Sequence, residues 1–119
     1  MKDKAKLLIV DDERDILDFL VAVFGDFNSE TALNAASALE ALQKERFDVL
    51  ITDIKMPGGS GLNLIDSAKN IRPDLPIIVI TGHYQEITPD TNEKVHQWIL
   101  KPFSVGDIRE AVNSAIEML

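Results

Sequence analysis

The sequence has no cysteine. Disulfides and thiolate metal sites are therefore excluded, and the chain suits a reducing compartment. It also lacks any apolar run near the roughly 20 residues that cross a bilayer. Met1-Lys2-Asp3-Lys4 is charged and is not followed by the longer apolar stretch of a signal peptide. A cytoplasmic location without membrane association is expected. Basic residues are few: 12 Lys and Arg stand against 20 Asp and Glu, for a formal net charge of −8. That balance argues against direct binding to nucleic acid or to an anionic membrane. No internal repeat, low-complexity tract or linker interrupts the chain.

What remains has an ordinary globular balance. The 119 residues fit one domain around one modest core. With 45% hydrophobic and 27% charged residues, the apolar content is too high for a disordered segment. Short apolar runs alternate with amphipathic stretches. Lys6 to Val10 predicts a strand. Residues 14–24 predict a helix with Ile16, Phe19, Leu20, Val23 and Phe24 on one face and Gly25 as its stop. Glu30 to Leu33 predicts a weak second strand. Ser37 and Glu40 form a capping box for a helix through Gln43, which is free to start a residue or two earlier. Asp48 to Thr52 is the third strand. Gly61 to Ile71 is the third helix, with Leu62, Ile65 and Ala68 inward and Pro73 closing it. Ile77 to Thr81 is the fourth strand. Thr88 and Pro89 predict the cap and first position of a short fourth helix. Gln97 to Leu100 is the fifth strand. Ser104, with Asp107 three residues on, opens a last helix in which Ile108, Ala111, Val112, Ala115, Ile116 and Leu119 share a face.

Strands of near-continuous Leu, Ile and Val are buried on both faces. They predict an α/β fold, a doubly wound parallel sheet covered by helices. In such open sheets ligands bind beyond the carboxyl ends of the strands. Asp11 and Asp12 follow Leu7-Leu8-Ile9-Val10, and Asp53 follows Val49-Leu50-Ile51-Thr52. Thr81 ends the fourth run, and Lys101 follows Trp98-Ile99-Leu100. Four segments aim at one place, and three acids with one lysine suggest a site for a metal ion and a phosphoryl group. Taken singly, each residue has a plainer reading. Asp11 or Asp12 is equally a helix cap, Lys101 a solvated charge and Thr81 a strand end. Gly58-Gly59-Ser60-Gly61 has no following Lys-Ser/Thr, so it reads as a turn and helix start rather than a phosphate loop.

The motifs LLIVDDE (7–13), DVLITDIKMPGGSGL (48–62), IIVITGH (77–83) and WILKPF (98–103) resemble those of the receiver domain of bacterial two-component response regulators. The resemblance covers essentially the whole chain, as a single receiver domain over 1–119 with no output domain in this chain. It implies a flavodoxin-like fold, a five-stranded parallel sheet of order 2-1-3-4-5 with five flanking helices. It also implies that Asp53 accepts a phosphoryl group from the phosphohistidine of a sensor histidine kinase or phosphotransfer protein. Asp12 would bind Mg²⁺ directly and Asp11 through water, with Asp53 and the backbone carbonyl of Lys55 as further ligands. Thr81 would contact the phosphoryl oxygens and Lys101 would pair with them, with the Lys101–Pro102 peptide cis. Thr81 and Trp98 would form the switch, the indole turning inward after phosphorylation. Lys55 and His83 would help set the lifetime of the phosphorylated state. An output domain or partner would read the face made by the fourth helix, fifth strand and fifth helix, and a phosphorylation-linked dimer is a further implied form. Such a domain is no enzyme beyond catalysing its own phosphorylation and dephosphorylation. Lys94-Val95-His96 replaces an Ala-Gly-Ala-like turn, so with Pro89 the fourth helix should be short or irregular. A free-standing receiver and one cut from a larger regulator or hybrid kinase are both open readings, and the last helix reaching Leu119 without a stop signal favours the second.

The residue types suit this chemistry. A carboxylate and a dianionic phosphoryl group repel, and Mg²⁺ neutralises both while preferring hard oxygen ligands. Catalysis is then mostly positioning plus electrostatics, with Lys101 as cation and Thr81 as small donor. Two carboxylates ~5 Å apart repel by about 3 kcal/mol at an effective dielectric of about 20. Asp12→Ala or Asp53→Asn is therefore expected to raise metal-free stability. Three rival readings are weaker. A binding module that takes no phosphoryl group has no use for the intact set Asp12, Asp53, Thr81 and Lys101. A phosphatase with an aspartyl intermediate needs an acid two residues after the nucleophile, where Lys55 stands. A flavodoxin-like cofactor binder needs a phosphate loop after the first strand, where Asp11-Asp12-Glu13 repels phosphate.

Overall fold

Five apolar or half-apolar segments line up in one parallel sheet. The computed structural model describes residues 5–56, 59–82 and 89–117. The strands are β1 (Lys6–Val10), β2 (Asn28–Ala32), β3 (Val49–Thr52), β4 (Ile77–Thr81) and β5 (Gln97–Leu100). Their order is β2-β1-β3-β4-β5 and every pairing is parallel. Four helices of ten to thirteen residues cover the sheet: α1 (Arg14–Val23), α2 (Ala35–Lys44), α3 (Gly61–Ile71) and, last in the chain, α5 (Val105–Glu117). Among the described residues, the segment between β4 and β5 holds the six-residue α4 (Pro89–Lys94). A two-residue antiparallel pair, Lys55–Met56 with Gly59–Ser60, follows β3. Among the described residues no helix is long and apolar enough to cross a membrane.

The period-two alternation of the strands sorts their side chains into two layers. Leu8, Val10, Leu50, Ile77 and Val79 pack with Ala38, Leu42, Leu64, Ile65 and Ala68 under α2 and α3. Leu7, Ile9, Val49, Ile51, Ile78 and Ile80 pack with Leu17, Leu20, Phe24, Ile108 and Val112 under α1 and α5. Each fully buried Leu, Ile or Val contributes roughly 1.5–3 kcal/mol. Arg109 fastens the second layer. Its guanidinium donates to the Val23 carbonyl at 2.6 Å and to both oxygens of Asp26, and lies over the rings of Phe24 and Phe27.

Local details depart from the sequence expectations in three places. β2 begins two residues earlier and omits Leu33, because all five residues of β1 pair with Asn28 to Ala32 and Leu33 is left 39% exposed. The cap of α2 is Asn34, whose side chain accepts from the Ser37 N–H at 2.8 Å, so Ser37 is already inside the helix. Phe19 is 43% exposed and meets Phe103, while Leu17 takes the inward position. The start of α5 follows expectation, with Ser104 Oγ accepting from the Asp107 N–H and Asp107 accepting from the Ser104 N–H. Among the described residues α4 spans Pro89–Lys94. Thr88, His83 and Leu119 lie outside the described residues.

Candidate functional site

The backbone ladder of the sheet runs one residue past three strands. Asp11 N–H donates to the Ala32 carbonyl at 3.2 Å, Asp53 N–H to the Val10 carbonyl at 3.3 Å, and Lys101 N–H to the Thr81 carbonyl at 2.9 Å. Two acids and a lysine are thereby fixed at the same end of the sheet, just beyond β1, β3 and β5. Thr81 ends β4 beside them and is fully buried. The Lys101–Pro102 peptide is cis.

The side chains then converge. Lys101 Nζ donates to Asp53 Oδ2 at 2.7 Å and lies 4.0 Å from Asp11 Oδ2. Asp53 Oδ1 accepts from the Ile54 N–H at 2.6 Å, and Asp11 Oδ1 from the Glu13 N–H at 2.9 Å. Asp53 is 7% exposed and Asp11 3%, whereas Asp12 and Glu13 face solvent. One carboxylate oxygen from each of Asp11, Asp12 and Glu13 lies within 4.8 Å of the other two. The N-cap position of α1 belongs to Glu13, so neither Asp11 nor Asp12 is the cap.

Burial sets the electrostatics. It pushes the Asp11 carboxyl up from 3.8 to about 6, against the pull of the Glu13 N–H and Lys101, while Asp53 and Asp12 add to the rise. Burial also pulls the Lys101 ammonium down. The hydrogen bond and charge of Asp53, with Asp11 and Glu13 behind it, outweigh that and hold its pKa above the ordinary lysine value. The donors are all hard oxygens, as Mg²⁺ prefers. Opposite ligands of Mg²⁺ stand roughly 4.2 Å apart, close to the span of the acidic group. A hard divalent cation therefore fits this end of the sheet.

Asp11, Asp53 and Lys101 meet in direct contact, and Asp12 joins them through Asp11. Lys55 opens the short antiparallel pair directly after Asp53 and Ile54. Trp98 pairs with Val79 in the ladder and is half-buried against the layer under α2 and α3. Glu13 was not among the candidates from sequence. Its signal was there, as the third acid of Asp11-Asp12-Glu13.

Residues 7–113 match the family model of the response regulator receiver domain. The chain belongs to this family. The receiver domain is 35% identical to chemotaxis protein CheY-3 of Vibrio cholerae, over 96% of this chain and 93% of that protein. It is 32% identical to sporulation initiation phosphotransferase F of Bacillus subtilis, over 95% of this chain and 94% of the relative. Against response regulator protein PilR of Pseudomonas aeruginosa the identity is 34% over 97% of this chain, which spans only 27% of PilR. A receiver domain from Clostridium thermocellum superposes with a TM-score of 0.89 at 30% identity, covering 96% of this chain and 95% of that one. Response regulator TrrA of Thermotoga maritima, in complex with Mg²⁺ and BeF, gives 0.86 at 26% identity, covering 93% and 98%. The protein is thus a receiver domain of two-component response regulators, a phosphorelay signalling module rather than a conventional enzyme. Receiver domains work with histidine kinases and output domains, and bind Mg²⁺ in an acidic pocket.

Proposed function

We propose that Asp53 is the phosphoacceptor of this receiver domain, acting with Asp11, Asp12, Thr81 and Lys101. The contact that carries the reading is Lys101 Nζ on Asp53 Oδ2 at 2.7 Å, at the same end of the sheet as the acidic group. A carboxylate oxygen of Asp53 forms a bond to phosphorus as the phosphorus–nitrogen bond of a kinase or phosphotransfer phosphohistidine breaks, and the imidazole leaves. Asp11, Asp12, Asp53 and the Lys55 carbonyl would hold Mg²⁺, which neutralises the repulsion between carboxylate and phosphoryl oxygens. The Ile54 N–H holds Oδ1 and orients the carboxylate. Lys101 hands its hydrogen bond from Asp53 to the incoming phosphoryl oxygens, which retain its charge at the site. Thr81 supplies a hydroxyl to the same oxygens. The same groups would serve hydrolysis of the acyl phosphate, so the chemistry is confined to the domain itself.

In this reading residues 1–119 act as one receiver unit in the cytoplasm. Thr81 moves towards the phosphoryl group and Trp98 follows, which biases a two-state element. Its output surface is the face of α4, β5 and α5, whose groove of about 330 Å³ is lined by Gln97, Trp98, Ile99, Leu100, Asp107 and Glu110. That surface would meet an output domain, a partner or a second phosphorylated copy. The test is mass spectrometry after incubation with Mg²⁺ and acetyl phosphate. One added phosphoryl group is expected on the wild type and none on Asp53→Asn. Beryllofluoride should change the fluorescence of Trp98, the single tryptophan. A phosphoryl group retained by Asp53→Asn would overturn the assignment.

A further inference from the structure

We propose that the Glu13 carboxylate is a working part of the cation site, placed outside the direct ligands, where it raises the affinity for Mg²⁺. The proposal rests on the reading of Asp11, Asp12 and Asp53 as cation ligands. Glu13 holds the N-cap of α1, where Ser, Thr, Asp or Asn ordinarily bonds a helix N–H with its side chain. Glu13 makes no such bond. The turn is held by its backbone instead. The N–H is on Asp11 Oδ1 at 2.9 Å, and the carbonyl accepts from the N–H groups of Ile16 and Leu17 at 3.1 and 3.2 Å. The side chain is therefore released from the helix end. It remains exposed, yet a carboxylate oxygen lies within 4.8 Å of those of Asp11 and Asp12. Its charge also reaches Lys101.

Gathering a third exposed acid against two others costs free energy in the absence of a cation. Among the described residues, Lys101 is the lysine that meets the acids Asp11 and Asp53 at this end of the sheet, with Asp12 and Glu13 beside Asp11. A divalent ion offsets that imbalance. An acid acting through water and field is screened by salt, whereas a direct ligand is much less so. The two roles therefore separate experimentally.

The experiment is calorimetric titration of Mg²⁺ into the metal-free protein, at low and at high KCl. The wild type is compared with Glu13→Gln, Glu13→Ser and Asp12→Asn. Glu13→Gln and Glu13→Ser should each bind Mg²⁺ roughly three- to tenfold more weakly at low salt, and the gap should close at high salt. Asp12→Asn should remain weak at both. Serine restores a capping side chain, so an equal loss in Glu13→Ser shows that charge and not the helix end is responsible. Wild-type affinity in Glu13→Gln, beside a weakened Asp12→Asn, would overturn the role of Glu13 alone. Wild-type affinity in Asp12→Asn as well would overturn the metal reading of the whole site.

Discussion

Lys101 Nζ lies 2.7 Å from Asp53 Oδ2, across 48 residues of sequence. The lysine thus stands on the proposed acceptor carboxylate before any phosphoryl group arrives, and only 4.0 Å from Asp11. It acts as an internal counter-ion for two buried acids. Lys101→Met should therefore lower metal-free stability by about 1–2 kcal/mol, less than for a fully buried pair because the lysine is 28% exposed. It should also tighten Mg²⁺ binding, since a competing positive charge is gone. Urea denaturation in chelator and a Mg²⁺ titration measure both effects. Unchanged stability and affinity would show that the pair carries no weight.

The same contact divides two substitutions that sequence reasoning treated alike. Asp12 is exposed and crowded by Asp11 and Glu13. Asp12→Ala should raise metal-free stability by about 1 kcal/mol through relief of repulsion. Asp53→Asn relieves repulsion too, but it weakens the charge-assisted bond from Lys101. Its net gain should be smaller than that of Asp12→Ala, or negative. Melting curves of the two variants in chelator decide this, and a larger gain for Asp53→Asn would contradict the pairing.

Asp11 gives the site a pH dependence of definite sign. Its folded carboxyl titrates at about 6 against an ordinary 3.8. Between those values the folded protein keeps a proton that the unfolded chain has lost. The contribution of Asp11 is thus full below about 3.8 and is lost as pH rises through about 6. At neutral pH the buried charge costs on the order of 3 kcal/mol. Asp11→Asn should match the wild type in acid and exceed it at neutral pH, when both are free of metal. Mg²⁺ affinity of the wild type should rise across the same window, because proton and cation compete. Parallel stability profiles for wild type and Asp11→Asn would refute the assignment.

Two phenylalanines of one helical segment should behave very differently. Phe24 is buried, with an edge contact to Phe27 and the Arg109 guanidinium over its ring. Phe24→Ala should cost about 3–5 kcal/mol. Phe19 is 43% exposed and touches Phe103. Phe19→Ala should cost less than about 1 kcal/mol. Chemical denaturation of both variants tests the order.

Much of this was legible in the chain because local signals agreed. The runs at Leu7–Val10, Val49–Thr52 and Ile77–Thr81 are apolar enough to require burial on both faces, and all three are buried strands. Asn28-Ser29-Glu30-Thr31-Ala32 carries no such signal. It is a strand because β1 offers a free edge, and pairing there outweighs its composition. Asn34 and Ser37 are both good caps, and the choice depends on where α2 packs. Phe19 fits the helical period, but Leu17 is turned inward instead. Glu13 was not singled out in the chain, and its place beside Asp11 and Asp12 is fixed by its N–H donating to the Asp11 carboxylate.

The sequence by itself determined which residues stand at strand ends, because an apolar run followed by Asp or Lys ends where burial of charge becomes too costly. It thereby named Asp11, Asp12, Asp53, Thr81 and Lys101 and the parallel sheet that presents them. Only the tertiary structure decided how those ends meet. The order β2-β1-β3-β4-β5 and the ladder bonds beyond each strand bring Lys101 onto Asp53, bury Asp11 until its carboxyl resists ionisation, and leave Asp12 and Glu13 in solvent. Charge interactions depend on distance and burial, and residues far apart in the chain acquire both only when the sheet closes.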